Sequence, residues 1–108
     1  MTTRPALACV ATILLGAIGS CCLPGTSTTP TLLSDDRPAP PEIRRACAMA
    51  ETKCTRCHSL DRVLVARITT PSDWRFQVDR MRLMSASGIS PTEGSEIVRC
   101  LVFRTAPP

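Results

Sequence analysis

The stretch Lys53-Cys54-Thr55-Arg56-Cys57-His58 constrains this chain more than any other. It places two cysteines three positions apart and follows them at once with the only histidine of the protein. The 108 residues include no tyrosine, two phenylalanines and one tryptophan, so aromatic side chains supply little bulk for a core. Domains this small usually need a staple such as a disulfide or a metal. The seven cysteines therefore point to a bridge, a metal or a covalent cofactor.

The first 23 residues predict export from the cytoplasm. Arg4 precedes an uncharged, mostly apolar run over residues 5–23, which is typical of a secretory signal. The run includes Ile18-Gly19-Ser20-Cys21, which is similar to a bacterial lipobox and makes Cys21 a candidate lipidation site. An ordinary cleavage site or an uncleaved anchor are the alternatives, since the run is just long enough to span a bilayer. All three interpretations place the remainder in the periplasm, either free or tethered to a membrane.

Residues 24–41 are rich in proline, threonine and serine and have no hydrophobic period. Such a segment buries too little apolar surface to offset its ordering entropy, so we predict a disordered tether. The folded domain is expected over residues 42–106. The net charge of +4 comes from arginines spread along the chain without a nucleic-acid-binding motif. We therefore expect no nucleic-acid partner.

The domain is predicted to be all-α, with three to four helices. Apolar residues recur at helical spacing on one face of a first helix, namely Ile43, Ala46, Cys47, Ala50 and Cys54. A second, weaker helical segment is expected within Asp61–Arg67. No segment shows the alternation of polar and apolar residues that a strand would need.

Two further helices have clear start signals. Thr70-Pro71-Ser72-Asp73 supplies a capping threonine and a proline at the first helical position. Trp74, Val78 and Met81 then share one face, and Gly88 is the expected end of this helix. Ser90-Pro91-Thr92-Glu93 is a capping box that opens the last helix. The inner face of that helix is predicted from three residues: Ile97, Cys100 and Leu101.

The C-x-x-C-H pattern is the attachment signature of a c-type haem. Cys54 and Cys57 would form thioethers with the two vinyl groups, and His58 would bind the iron. The porphyrin would also supply the aromatic bulk that the composition lacks. A zinc site would need a second ligand pair at suitable spacing, and a redox dithiol would need a βαβ context, neither of which this sequence provides. We therefore predict one covalent haem c.

Elimination narrows the choice of residues that could be the second axial ligand. A second histidine does not exist in the chain, and methionine is the usual alternative in electron carriers. Met1 belongs to the leader, and Met49 lies one turn before Cys54, too close to the attachment edge to reach the far side of the ring. Met81 and Met84 remain, unless both simply fill the core, as methionines often do.

The segment from Cys54 to Leu101 resembles small monohaem class I cytochromes c. The resemblance is carried by the attachment motif, by a helical tryptophan seven residues before a methionine (Trp74 and Met81), and by a final helix. It implies a fold whose first and last helices cross around the haem. It also implies thioethers at Cys54 and Cys57, His58 as proximal ligand and Met81 as distal ligand, with Met84 as the alternative.

The chain differs from that family at the expected helix crossing, where an aromatic pair is common. Two cysteines outside the haem motif, Cys47 and Cys100, lie on the inner faces of the two helices that should cross. We predict that they form a disulfide in place of aromatic packing, since an oxidising compartment permits one. Two buried free thiols are the alternative.

The resemblance implies a periplasmic electron carrier rather than an enzyme, because a His/Met haem leaves no open position for a substrate. Four arginines near the motif and the ligand helix would steer a redox partner with an acidic docking surface, unless they are ordinary solvated charges: Arg56, Arg75, Arg80 and Arg82. Two alternatives remain open. One is a haem subunit of a larger oxidoreductase, and the other is a sensor whose sixth position is open.

Overall fold

The computed structural model describes residues 29–33 and 36–108, and this part of the chain is all-helical. Its elements are α1 (Pro41–Cys54), α2 (Asp61–Leu64), α3 (Pro71–Arg82) and α4 (Pro91–Thr105), and no strand occurs among the described residues. The predicted fold class is thereby confirmed. Among these helices none has the length and apolarity needed to cross a membrane. The predicted signal segment and Cys21 lie outside the described residues.

The start signals of α3 and α4 operate as predicted. Thr70 accepts a hydrogen bond from the Asp73 N–H at 3.1 Å, which satisfies one of the free donors at the helix start. At α4, the Ser90 hydroxyl accepts from the Glu93 N–H at 3.2 Å, and the Glu93 carboxylate accepts from the Ser90 N–H at 2.8 Å. Both helices carry proline at the first position. Local chemistry therefore sets where these helices begin.

The centre of the fold is the junction between α1 and α4. The small residues Ala46 and Ala50 of α1 are buried, as predicted, and α4 contributes Ile97 and Leu101. A disulfide joins Cys47 to Cys100, with the two Cα atoms 5.0 Å apart. This is the pair that the sequence analysis singled out for the helix crossing.

Helix α3 packs on another side of α4. The Trp74 ring is buried, and its Nε1–H donates to the Thr105 hydroxyl at 3.1 Å near the end of α4. At the opposite end of the contact, Gly94 lets α4 approach the Arg82 side chain. A Cβ at Gly94 would lie 2.6 Å from Cδ of Arg82, closer than van der Waals contact permits. α4 is thus held between α1 and α3.

The disordered tether stays a prediction for residues 24–41, but the described residues of this segment contact the helical domain. Leu32 is 1% exposed and belongs to the main core cluster. The Leu32 N–H and the Thr31 hydroxyl both donate to Glu51 of α1 at 2.7 Å. Arg37 donates to the carbonyl oxygens of Phe103 and Ala106. Segment composition averages over residues, so it does not reveal that one leucine enters a core short of aromatic bulk.

One predicted helix end requires correction. α2 spans Asp61–Leu64 and so lies within the expected range Asp61–Arg67, but α3 ends at Arg82 rather than at residues 85–88. The Ser87 hydroxyl donates to the Arg82 carbonyl at 3.2 Å, which satisfies one of the acceptors that a helix end exposes. Gly88 does adopt a left-handed conformation, with φ of 57°, but within the turn that leads to α4.

Candidate functional site

The end of α1, the α2 region, α3 and the turn before α4 surround a cavity of about 220 Å³ that opens to solvent. Most of its wall is apolar. The residues that supply this apolar wall include Val63, Ile68, Trp74, Val78, Ile89 and Leu101. Several of them belong to the core cluster, so the cavity extends directly from the interior of the domain. An apolar cleft with a few polar groups is the usual form of a ligand-binding site.

The residues of the C-x-x-C-H motif lie together at this cavity. Cys54 is the last residue of α1 and is half-buried, whereas Cys57 is exposed in the turn that follows. Both cysteines line the cavity, and both thiols are free. Burial raises the pKa of the Cys54 thiol. The protein thus presents two reduced thiols to one space, as covalent attachment of a single group would require.

The His58 ring also lines the cavity, and a local contact determines which nitrogen it offers. Its Nδ1 lies 3.0 Å from the carbonyl oxygen of Ser59. Because a carbonyl only accepts hydrogen bonds, Nδ1 must carry the proton of the neutral ring. The lone pair is then on Nε2, and this arrangement is typical of histidines that bind a metal.

Both candidate distal ligands line the same cavity. Met81 lies in the last turn of α3 and is 37% exposed, whereas Met84 follows the helix and is 54% exposed. Met49 is half-buried on α1 and does not contribute to the wall. The structure therefore brings Met81 and Met84 to the cavity that His58 lines, and it leaves the choice between them open.

The arginines predicted to form a positive rim are not equally available. Arg56 donates to the Ser87 carbonyl, and Arg82 pairs with Asp79 at 2.7 Å. The Arg80 guanidinium lies 5.8 Å from the centre of the Phe76 ring. Arg75 is exposed on α3. Two of the four arginines thus make polar contacts within the protein, and a positive docking rim stays a prediction.

The cavity also has polar residues that the sequence analysis did not assign to it. Lys53, Arg62, Gln77 and Ser87 all line the wall. Ser87 is only 5% exposed, which is unusual for a serine in a turn. The sequence did indicate a turn here, since Gly88 stands between the end of α3 and the capping residue Ser90. That Ser87 lines the cavity depends on contacts between distant parts of the chain, which local patterns do not reveal.

Comparisons with protein-family models, with curated proteins and with solved structures found no match for this chain. Within residues 29–33 and 36–108, no three histidine, cysteine or acidic side chains come together as a metal-binding cluster. The donors at the cavity are instead two thiols, one imidazole and two thioether sulfurs, spread around an apolar space. The chemistry of this donor set is the basis for the function proposed below.

Proposed function

We propose that this protein is an exported electron-transfer protein of the small monohaem cytochrome c type. One observation carries the proposal: a single apolar cavity is lined by Cys54, Cys57 and His58 together with both Met81 and Met84. In this proposal the two cysteines hold the haem by thioether bonds and His58 is the proximal ligand. Met81 is the distal ligand, with Met84 as the alternative.

The residues around the cavity fit this group. One free thiol is at the end of α1 and the other is in the turn that follows it, and the Ser59 carbonyl holds His58 in the tautomer whose Nε2 can bind a metal. Thioether sulfur and imidazole are a ligand pair found in cytochromes c, where sulfur raises the reduction potential. The haem supplies the one-electron chemistry, and the protein holds the ligands and keeps water from the ring.

Electron transfer is favoured over catalysis by the side chains that line the cavity. Apart from the histidine assigned to the iron, the polar lining residues are Lys53, Arg62, Gln77, Ser87 and the two motif cysteines. None of these is a carboxylate or a second imidazole, the side chains that most often transfer protons at neutral pH. A bound methionine would also occupy the position that a diatomic ligand or a peroxide needs.

The proposal is tested with the full chain produced in a bacterial periplasm that contains haem-attachment machinery. We expect a mass increase equal to one haem, and a low-spin spectrum in both redox states. The paired substitution of Cys54→Ala and Cys57→Ala should abolish covalent attachment, since both thioethers are lost. A wild-type chain that attaches no haem under these conditions would overturn the proposal.

The distal ligand is identified by comparing three methionine variants. Met81→Ala should convert the haem to a high-spin form and remove the weak near-infrared band of a sulfur ligand. Met49→Ala is the matched control, because Met49 lies outside the cavity. If Met84→Ala alone has this effect, Met84 is the ligand. A wild-type protein that is already high-spin and binds carbon monoxide readily would instead support a sensor with an open site.

A further inference from the structure

Two cationic side chains of the attachment stretch reach the turn before α4. The Lys53 ammonium donates to the Gly88 carbonyl at 2.5 Å and lies 3.0 Å from the Glu93 carboxylate. Arg56 donates to the Ser87 carbonyl at 3.2 Å. Lys53 precedes Cys54, and Arg56 lies between the two motif cysteines. Two hydrogen bonds thus join the attachment stretch to the turn that follows the methionine segment, and one ion pair joins it to the first turn of α4.

The turn is shaped to receive these side chains. Gly88 has a φ of 57°, and a Cβ at this position would collide with the Arg56 guanidinium. Any other residue would therefore be strained here and would also displace Arg56. Both acceptors are backbone carbonyls, which have fixed positions once the turn has formed. The contacts consequently depend on the path of the main chain and not on a flexible partner.

Hydrogen bonds connect this turn to the two candidate distal ligands. The Ser87 N–H donates to the Met84 carbonyl at 2.9 Å, and the Met84 N–H donates to the Met81 carbonyl at 3.1 Å. The Ser87 hydroxyl donates to the Arg82 carbonyl at the end of α3. A displacement of residues 87 and 88 would therefore be passed to the backbone of both methionines.

We infer that Lys53 and Arg56 are positioning residues that latch residues 83–90 to the attachment stretch and so hold the distal methionine in place. This inference rests on the proposed function, and it names the residues that fix the position of the sulfur ligand. The alternative is a set of surface contacts with no influence on the cavity, since exposed ion pairs often contribute little. Against this, the Lys53 side chain is only 19% exposed and lines the cavity itself.

The consequence is a change in how readily an external ligand displaces the methionine. A protein that opens its ligand segment more often binds a competitor more tightly, in proportion to the population of the open form. For the haem-loaded double variant Lys53→Gln and Arg56→Gln, we expect imidazole to bind roughly tenfold more tightly than to wild type. The near-infrared sulfur band should weaken, and amide hydrogen exchange should accelerate over residues 84–89.

The matched control removes two cationic charges elsewhere. Arg45→Gln and Arg75→Gln change exposed arginines on α1 and α3, and neither residue lines the cavity. Lys53→Arg retains hydrogen-bond donors at position 53, so its imidazole affinity should stay close to that of the wild type. Gly88→Ala displaces Arg56 by a separate route, and it should reproduce the effect of the double variant even if the latter folds poorly.

The outcomes separate the two proposals. Wild-type protein with a sulfur-ligated haem, combined with double and Gly88→Ala variants that match the control, would overturn the latch and leave the electron-carrier proposal intact. Wild-type protein without sulfur ligation would overturn the ligand assignment and the latch together. A tighter imidazole complex in both variants, but not in the control or in Lys53→Arg, would support the latch.

Discussion

The α1–α4 junction and the cavity wall are formed by the same helices but differ in how deeply their side chains are buried. At the junction, Ala46, Cys47, Ala50 and Cys100 are each no more than 2% exposed, and a disulfide joins the two helices. At the cavity, sulfur-bearing side chains remain partly exposed even though they adjoin the core. Apolar groups left at a solvent boundary forgo part of the stabilisation that burial provides. The junction is thus closed by buried apolar contacts and a disulfide, whereas the cavity wall leaves sulfur-bearing groups accessible from solvent.

The two regions also differ in the interactions that stabilise them. The junction depends on small apolar residues and one covalent bond, so its geometry is not sensitive to charge. The far wall of the cavity depends on Lys53, Arg56 and backbone carbonyls of the turn before α4. Polar contacts near a surface are weaker and respond to pH and salt. Substitutions in the two regions should therefore have different sizes and different dependence on conditions.

The largest effect is expected from removing the disulfide. The paired substitution of Cys47→Ala and Cys100→Ala opens a loop with a sequence separation of 53 residues. Loop-closure entropy predicts a loss of about 4 kcal/mol in the free energy of unfolding, measured by chemical denaturation. A reducing agent should destabilise the wild type similarly and leave the double variant unchanged. Equal stability of oxidised and reduced wild type would show that the bridge does not hold the junction.

The next effect concerns the docked N-terminal segment. Leu32→Ala removes one of the most buried side chains of the described protein, and it should cost about 2 kcal/mol of unfolding free energy. Leu33→Ala is the neighbouring control, since Leu33 is only half-buried. Thermal and chemical denaturation would measure both. Similar small losses in the two variants would mean that residues 29–33 behave as the loose tether that composition suggested.

A smaller effect is expected where the two regions meet, at Trp74. Trp74→Phe keeps an aromatic ring at the cavity wall but loses the hydrogen bond to the Thr105 hydroxyl. The expected loss is about 1 kcal/mol in the free energy of unfolding. Thr105→Val removes the same bond from the other side, and the two changes together should cost less than their sum. Strict additivity would indicate that the bond contributes nothing.

The smallest effect concerns the pH response of Glu93. The Ser90 N–H, followed by the Lys53 ammonium, lowers the pKa of the Glu93 carboxyl from its ordinary value. A carboxyl whose pKa is lower in the folded state stabilises the protein above its unfolded pKa, and this contribution is lost as the pH falls through the folded value. Glu93→Gln should therefore be less stable than wild type at neutral pH. The stability difference should shrink on acidification below about pH 4, in the range where carboxyls titrate.

The control for this experiment is Glu96→Gln. Glu96 pairs with Arg99 three residues away on α4, so its loss does not affect the ion pair between Lys53 of α1 and Glu93 at the start of α4. Unfolding curves collected over a pH series would compare the two variants with wild type. A stability difference for Glu93→Gln that stays constant from neutral to acid pH would contradict the role of its carboxylate.

Predictions based on neighbouring residues were the most accurate. The starts of α3 and α4 were correct, because Thr70 and Ser90 bond to residues only three positions away. The buried face of α1 was correct, because helical periodicity places Ala46, Cys47 and Ala50 on one side. The end of α3 was predicted too late: the helix ends at Arg82, where the Ser87 hydroxyl satisfies the carbonyl that a further helical turn would otherwise use.

In the candidate site, too, residues in local patterns were predictable and residues with distant partners were not. Cys54, Cys57 and His58 were identifiable because the motif is contiguous, and the structure places all three at one cavity. The positions of Met81 and Met84 at that cavity were expected from helical spacing and from family resemblance. The roles of Lys53 and Arg56 in holding the turn were not predictable, since their partners lie more than 30 residues away.

By itself, the sequence determined the all-α class and two helix starts, because each depends on interactions within one or two helical turns, and it contains the contiguous C-x-x-C-H pattern. Only the tertiary structure decided that Leu32 enters the core, that the predicted pair Cys47 and Cys100 forms a bridge rather than two free thiols, and that Lys53 and Arg56 hold the turn before α4. These contacts close loops of 19 to 53 residues. Their partners are selected by the packing of α1, α3 and α4 as a whole, and local propensity carries no information about them.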